Sequence, residues 1–251
     1  NACMGTRVYW NPPRRGVWRP IWLFGRALLA VTTPWMYGYR ATGTHNIPSR
    51  GGVLLVANHL ADVDPPFLAQ ACGRRTTQYV ALSRHFTGRP LATLLFALGA
   101  FPIRPGSDMR ALRHAREQLT AGRLVVIFPE GAPTGGAEMS EFFDGVGVLA
   151  LTPGVTVIPA AIWGSQWVMR GRLPAGRGPV RVAVGRPVPI SRDGSRRERA
   201  AETTRRTEEA IRALLAPLVA RHPEGARRVP AADDRAVHYR SAATDTAEER
   251  R

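Results

Sequence analysis

The sequence contains no lysine, so all 35 of its basic residues are arginine. That absence excludes a Schiff-base lysine, a lysine nucleophile and the phosphate-binding lysine of a P-loop. The two cysteines, Cys3 and Cys72, are too few for a disulfide framework or a zinc site. We therefore expect a reducing, cytoplasmic setting. Residues 1–19 also lack an apolar stretch followed by small residues, so the pattern predicts no secretory signal.

Acidic residues are few as well, and 19 of them against 35 arginines give a net charge of +16. A charge of that size suits nucleic acid, an anionic membrane surface or a phosphorylated substrate. The sequence has no helix-turn-helix signature, no zinc-ligand spacing and no interleaving of aromatic with basic residues, and its arginines are scattered. We therefore expect no nucleic-acid partner and favour an anionic membrane surface.

A clean hydrophobic run of membrane-spanning length is also missing. The segment from Ile21 to Tyr39 is mostly apolar, but Arg26 interrupts it and Pro34 is expected to break a helix. Tryptophan, tyrosine and flanking arginine side chains suit the boundary between lipid and water. We interpret residues 1–39 as an N-terminal segment with a helix, or a helical hairpin, that lies in the membrane interface. A buried N-terminal helix is the alternative.

Short apolar runs alternate with helix-like segments from residue 40 to residue 190. The predicted strands are 53–57, 78–82, 100–103, 124–128, 155–162 and 180–184. The predicted helices are 64–72, 90–98, 107–121, 141–152 and the Arg/Glu-rich 195–222. This alternation predicts an α/β fold with a mixed, largely parallel central sheet flanked by helices. The domain would span 40–222 and be followed by a disordered tail over 223–251.

One short stretch carries the most chemical information. Residues 53–57 form a strand-like apolar run, and His59 follows its end. Asp64, which two prolines follow, is predicted to be the N-cap of the next helix. Such a pair can meet across one tight turn, where the carboxylate fixes the imidazole tautomer while the other ring nitrogen takes a proton. The alternative is a loop histidine with no catalytic role, beside an aspartate that only caps the helix.

Three further blocks follow in order at the ends of predicted strands. They are Gly99–Arg104 (Gly-Ala-Phe-Pro-Ile-Arg), Phe128–Gly131 (Phe-Pro-Glu-Gly) and Val157–Ala161 (Val-Ile-Pro-Ala-Ala). Strand ends are where an open α/β sheet binds its ligand. With Asn58–Pro65, these blocks make residues 40–190 resemble the glycerophospholipid acyltransferase family, typified by 1-acyl-sn-glycerol-3-phosphate (lysophosphatidic acid) acyltransferases.

The resemblance implies transfer of a fatty acyl group from acyl-CoA or acyl carrier protein to a hydroxyl of a lysophospholipid. The setting would be phospholipid biosynthesis at the cytoplasmic face of the plasma membrane. A hydroxyl is a poor nucleophile at neutral pH, so the reaction needs a positioned base, for which His59 is the natural candidate. Asp64 would hold the imidazole and stabilise the imidazolium. The acceptor oxygen would attack the thioester directly, with no metal, no cofactor beyond the thioester co-substrate and no covalent enzyme intermediate.

The same resemblance suggests which side chains bind the acceptor. Arg104 is the candidate for its phosphate, because a guanidinium holds phosphate with two parallel hydrogen bonds; a solvated surface arginine is the alternative. Glu130 could accept from a glycerol hydroxyl or pair with Arg104, and a purely structural salt bridge competes with these roles. Gly131 is expected to let the backbone approach a ligand closely. The substrate-binding set is Asn58, Arg104, Phe128, Pro129, Glu130 and Gly131, with no metal ligand among them.

The sequence departs from the family pattern where cations are usual. Ala132 and Pro133 replace the Thr-Arg expected after Pro-Glu-Gly. Leu82 stands where a lysine is usual, and Asp144 replaces the lysine of Phe-Lys-x-Gly. Losing one partner of a phosphate contact typically costs about 1.5–3 kcal/mol. A glycolipid or another lipid with a substituted headgroup is therefore an alternative acceptor, and a catalytically silent lipid-binding protein is a further alternative.

Overall fold

A computed structural model describes residues 18–73, 75–86, 89–103, 108–170, 173–174 and 178–222. The helices are α1 Arg19–Tyr37, α2 Asp64–Ala71, α3 Arg89–Ala97, α4 Met109–Thr120, α5 Gly145–Ala150 and α6 Arg196–Arg221. The strands are β1 Arg40–Thr42, β2 Gly52–Ala57, β3 Thr77–Leu82, β4 Ala100–Ile103, β5 Leu124–Ile127, β6 Val155–Trp163, β7 Met169–Arg170, β8 Leu173–Pro174 and β9 Arg181–Val184. The predicted tail over 223–251 and the phosphate-binding candidate Arg104 lie outside the described residues.

Seven strands form one sheet in the order β1-β9-β6-β2-β5-β3-β4. Five of its pairings are parallel, and β6 with β9 is antiparallel. β1 and β9 therefore run against the other five strands. This arrangement confirms the predicted α/β class with a mixed, largely parallel sheet.

The core forms around β2 and β5, which are neighbours in the middle of the sheet. Every residue of β2 (Gly-Val-Leu-Leu-Val-Ala) and of β5 (Leu-Val-Val-Ile) is buried. An unbroken run of Val, Leu and Ile is typical of a parallel strand that is covered on both faces. Helices α4 and α5 pack against β2, and α6 packs against β6.

The strand order decides where the loops that carry the sequence blocks meet. β2 and β5 are parallel neighbours in register, with Val56 opposite Ile127. Adjacent strands lie about 4.8 Å apart. Asn58 and Phe128 therefore emerge side by side at the carboxyl edge of the parallel strands. That edge is where an open α/β sheet binds its ligand.

The structure corrects the predicted course of α1. Pro34 does not break the helix, which continues to Tyr37 and ends at Gly38, whose φ of 51° is left-handed. Pro34 lies in the last turn, so its missing N–H removes one hydrogen bond near the helix end rather than in the middle. Over the described residues the N-terminal segment is thus a single helix and not a hairpin. None of the helices in the described part of the chain is long and apolar enough to cross a membrane.

Two elements differ from the sequence pattern for local reasons. Helix α5 begins at Gly145 rather than at residue 141. Backbone N–H groups of Ser140 and Phe143 bond to the turn at Pro129 and Glu130, which draws residues 140–143 away from the helix. The three-residue strand β1 is not predicted at all, because so short a segment carries no periodicity and forms only by pairing with β9.

Candidate active site

His59 and Asp64 meet across the turn between β2 and α2. Oδ2 of Asp64 lies 2.7 Å from Nδ1 of His59. The same oxygen accepts from the backbone N–H of Leu60 at 2.7 Å and from that of Ala61 at 3.0 Å. The predicted N-cap is corrected by one position, because the cap is Val63 and Asp64 is the first helical residue. The carboxylate turns back onto the preceding turn, and this direction brings it to the imidazole.

These contacts determine which nitrogen of His59 faces Asp64 and which faces away from it. Asp64 is fully buried, and three donors converge on its Oδ2. In a neutral imidazole, an Nδ1–H that donates to this carboxylate leaves the lone pair on Nε2. The His59 side chain is 13% exposed, and no described residue forms a hydrogen bond with Nε2. The imidazole can therefore take a proton from a bound molecule, as a general base must.

An aromatic contact also restrains the imidazole. The Phe128 ring stacks on the His59 ring with a centroid distance of 4.2 Å and an interplanar angle of 24°. Phe128 follows β5 as His59 follows β2, so the parallel pairing of these strands brings the two rings together. The ring of His59 is thus held on one face by Phe128 and at Nδ1 by Asp64. That Phe128 also touches substrate stays a prediction.

The carboxylate of Glu130 lies against the backbone of the site. Its Oε1 accepts from the N–H of His59 at 2.7 Å, and its Oε2 accepts from the N–H of Ser140 at 2.8 Å. Burial raises the pKa of Glu130 to about 7, although these two hydrogen bonds and the nearby His59 act to lower it. No arginine in the described ranges forms an ion pair with it. A contact with a glycerol hydroxyl and a pairing with Arg104 stay predictions.

Asn58 ties the start of the His59 turn to strand β6. Its Nδ2 donates to the carbonyl of Ile162 at 3.0 Å, and its Oδ1 accepts from the N–H of Ile162 at 2.8 Å. The side chain is buried. The amide thus continues the pairing of β2 with β6 beyond the end of β2. These are internal contacts, and a substrate contact of Asn58 stays a prediction.

Pro129 and Gly131 shape the loop after β5 through their contacts with Phe143. The Pro129 carbonyl accepts from the N–H of Phe143 at 3.0 Å. Gly131 has a φ of +73°, and a Cβ there would lie 2.5 Å from the Phe143 ring. The Phe143 ring therefore lies close to the Gly131 backbone, and close approach of a ligand to Gly131 stays a prediction. Phe143 itself is 54% exposed beside the site.

Thr134 and Ser140 are site residues that the sequence analysis misses. The N–H and the hydroxyl of Thr134 both donate to the carbonyl of His59, at 2.9 Å and 3.1 Å. Ser140 contributes through its backbone N–H to Glu130. One signal could have indicated Thr134. The family pattern has a threonine directly after Pro-Glu-Gly, and here a threonine follows two residues later.

The residues that depart from the family pattern lie in the same loops or beside them. Ala132 and Pro133 lie between the Pro-Glu-Gly turn and Thr134, and Asp144 is exposed at the N-cap of α5. These positions offer no cation to an acceptor phosphate. The side chain of Leu82 lies outside the described residues. Within the described ranges no group of His, Cys, Asp and Glu could hold a metal ion.

Three comparisons with known proteins relate this site to a family. A model of the acyltransferase family matches residues 39–163. The chain is 27% identical over 154 residues to a 1-acyl-sn-glycerol-3-phosphate acyltransferase of Borreliella burgdorferi. It is 39% identical over 116 residues to a lyso-ornithine lipid O-acyltransferase of Pseudomonas aeruginosa. These alignments cover 56% and 45% of this chain and 58% and 43% of those proteins, so the chain spans about half the length of the curated relatives that it matches.

A solved structure shows the same fold. The crystal structure of the 1-acyl-sn-glycerophosphate acyltransferase PlsC from Thermotoga maritima superposes with a TM-score of 0.63 at 24% sequence identity. The match covers 80% of this chain and 79% of that one.

Proposed function

The chain belongs to the acyltransferase family, and from that premise we propose that it moves a fatty acyl group from an acyl thioester to a lysophospholipid hydroxyl. The acceptor would be of the 1-acylglycerol-3-phosphate type, in phospholipid biosynthesis. The observation that carries this proposal is the 2.7 Å contact between His59 Nδ1 and Asp64 Oδ2, which leaves Nε2 without a hydrogen bond to any described residue. Acyl transfer to an alcohol needs such a base.

The transfer takes place in one addition and one elimination. As the acceptor oxygen attacks the thioester carbonyl carbon, Nε2 of His59 takes the hydroxyl proton, and Asp64 stabilises the imidazolium. The tetrahedral intermediate collapses, the C–S bond breaks and the thiolate leaves with the proton of the imidazolium. The products are an ester and a free thiol, and His59 is neutral again with no acyl group on the protein. General-base catalysis of this kind contributes about 100- to 10,000-fold.

The acyl donor in this proposal is acyl-CoA or acyl carrier protein. Both present the same thioester carbonyl to the acceptor, so the chemistry at His59 is the same for either carrier. An assay therefore has to offer both.

A second class of acceptor is favoured by the residues beside the site. Ala132, Pro133 and Asp144 occupy positions at which the family pattern expects cations or their neighbours. One relative, at 39% identity, is named for an acceptor built on ornithine rather than on glycerol phosphate. An acceptor without that phosphate does not need the missing cations. A lysolipid with a substituted headgroup, such as an amino-acid lipid or a glycolipid, is therefore our second candidate.

Helix α1 supports the proposal that the acceptor lies in a membrane. Large apolar side chains are exposed along it, and Trp35 is 85% exposed. The others are Leu23, Phe24, Leu28, Val31 and Met36, with Trp18 exposed at the N-cap. An exposed apolar helix face of this kind is typical of attachment to a lipid surface, and tryptophan suits the lipid–water boundary. We propose peripheral attachment through this face to the cytoplasmic side of the plasma membrane.

The packing of α1 on α2 places the C-terminal end of α1 near the start of α2. The Gln70 amide, near the C-terminal end of α2, donates to the Leu29 carbonyl of α1. Phe67, one turn nearer the start of α2, contacts the Tyr37 ring at the end of α1. The two helices are therefore antiparallel, and the C-terminal end of α1 lies toward Asp64.

Two arginines lie at the same edge of the sheet. Arg40 begins β1, is exposed and is in register with Arg181 at the start of β9. Because β1 and β9 run against β2, their first residues lie at the edge where β2 ends. An arginine near an anionic membrane surface contributes about 1 kcal/mol to binding. This pair therefore supports an anionic leaflet as the partner of the apolar face.

An acceptor screen tests the proposed function. Radiolabelled acyl-CoA or acyl carrier protein is mixed with vesicles that carry lysophosphatidic acid, a lyso-ornithine lipid or a lysoglycolipid. We expect the wild type to esterify at least one acceptor and His59→Ala to lose that activity while still binding vesicles. His45→Ala, which changes an exposed histidine outside the site, is the matched control. Full activity of His59→Ala would remove its role as the base, and vesicle binding with no ester from any acceptor would identify a silent lipid-binding protein.

A further inference from the structure

The loop after β5 holds the main chain of His59 on both sides. On one side, Oε1 of Glu130 accepts from the His59 N–H at 2.7 Å. On the other side, the His59 carbonyl accepts from the N–H of Thr134 at 2.9 Å and from its hydroxyl at 3.1 Å. We propose that Glu130 and Thr134 are positioning residues, which clamp the main chain of His59 and so aim its imidazole at the acceptor. This inference rests on the proposed role of His59 as the base.

Both oxygens of the Glu130 carboxylate form hydrogen bonds inside the protein. The side chain is 6% exposed, and each carboxylate oxygen already accepts from a backbone N–H, of His59 and of Ser140. Burial disfavours the charged form of a carboxylate, and hydrogen bonds from backbone N–H groups offset part of that cost. Glu130 therefore connects the segment of Ser140 to the turn of His59, the proposed base.

Consecutive backbone donors of the His59 turn are all bound by carboxylates. Glu130 takes the N–H of His59, and Asp64 takes those of Leu60 and Ala61. With the carbonyl of His59 on Thr134, the peptide groups on both sides of the imidazole are fixed. Displacing a reacting group by about 1 Å costs up to about 100-fold in rate. A loosened clamp should therefore slow the chemical step while the acceptor still binds.

Kinetic constants separate this role from direct contact with the acceptor. In Glu130→Gln only one side-chain atom can accept, and the NH₂ group would face a backbone N–H. We expect kcat to fall about 10- to 100-fold, with the KM for the acceptor changed less than about twofold. An acceptor ligand would behave in the opposite way. A tenfold rise in that KM at unchanged kcat would overturn the proposal for Glu130.

A matched pair of variants tests Thr134. Thr134→Val keeps the shape and the backbone N–H but loses the hydroxyl, and we expect kcat to fall about fivefold. Thr134→Ser restores the hydroxyl and should return kcat to within about twofold of the wild type. The control is Glu138→Gln, an exposed glutamate in the same loop, which should match the wild type. Equal losses in the valine and serine variants would overturn the role of the hydroxyl.

A second measurement does not depend on turnover. The amide proton of His59, bonded to a carboxylate, should resonate downfield in the NMR spectrum of the full chain, and Glu130→Gln should move it upfield. Glu138→Gln should leave it in place. An unchanged His59 amide in Glu130→Gln would overturn the clamp. If the wild type transfers no acyl group in the acceptor screen, the proposed function fails, and this spectrum still decides whether the clamp exists.

Discussion

The buried carboxyl of Glu130 leads to a quantitative prediction about stability. Burial holds its pKa at about 7 in the folded protein, against an ordinary value of 4.5. The folded state therefore binds this proton more tightly than the unfolded chain does. The resulting stabilisation is fully present below pH 4.5 and is lost as the pH rises through 7. At about 1.4 kcal/mol per pH unit, the loss amounts to about 3 kcal/mol.

Comparison with Glu130→Gln isolates this contribution, because His59 and Asp64, the titratable groups that face Glu130, are present in both proteins. Urea unfolding from pH 4.5 to pH 8 gives the free energy of unfolding of each. We expect the wild type to lose about 3 kcal/mol relative to the variant over this range. The exposed control Glu138→Gln should show no such trend. The reasoning would be refuted if the free energy of unfolding of the wild type, minus that of Glu130→Gln, stayed constant or rose with pH.

Other contacts carry four more predictions. Asp64→Asn should lower kcat at least about 100-fold in steady-state assays, because an amide does not fix the His59 tautomer; a rate near that of the wild type would contradict the pairing. Gly131→Ala should lower the free energy of unfolding by about 1–3 kcal/mol, because φ is +73° and its Cβ would meet the Phe143 ring. Adding Phe143→Ala should recover part of that loss, and no recovery would exclude the clash. Trp35→Ser should weaken vesicle co-sedimentation without changing stability, since Trp35 is 85% exposed; unchanged binding would count against α1 as the membrane face. Arg40→Gln should weaken binding about fivefold to anionic vesicles and leave neutral ones unaffected, and an equal loss on both would remove its electrostatic role.

The central strands and the longest helix could be predicted from the sequence because their signals are local. β2 is an unbroken apolar run of strand length, and its prediction is correct to one residue. Ser195 is the N-cap of helix α6, and its side chain forms a capping box with that of Glu198. Pro34 shows the limit of such signals. A proline generally ends a helix, but one in the last turn removes little, and packing on α2 keeps α1 intact.

Contacts within the site could be predicted only between residues that are close in the chain. His59 and Asp64 are five residues apart, so one turn brings them together. Thr134 is 75 residues from His59, and their contact depends on the pairing of β2 with β5. The contacts of Glu130 could not be predicted from the sequence for the same reason. Its motif indicates a functional residue, but only the fold shows that both oxygens bind backbone N–H groups.

The central claim is that His59 acts as a base in direct transfer, and a single-turnover experiment tests it most directly. Thiol release and ester formation are followed together with the accepted donor and acceptor, while mass spectrometry follows the protein. We predict one thiol per ester, no acyl group on the protein, and a loss of at least about 100-fold in His59→Ala with vesicle binding retained. Wild-type rates in His59→Ala, or an acyl-protein adduct that forms and decays along the reaction, would contradict the account.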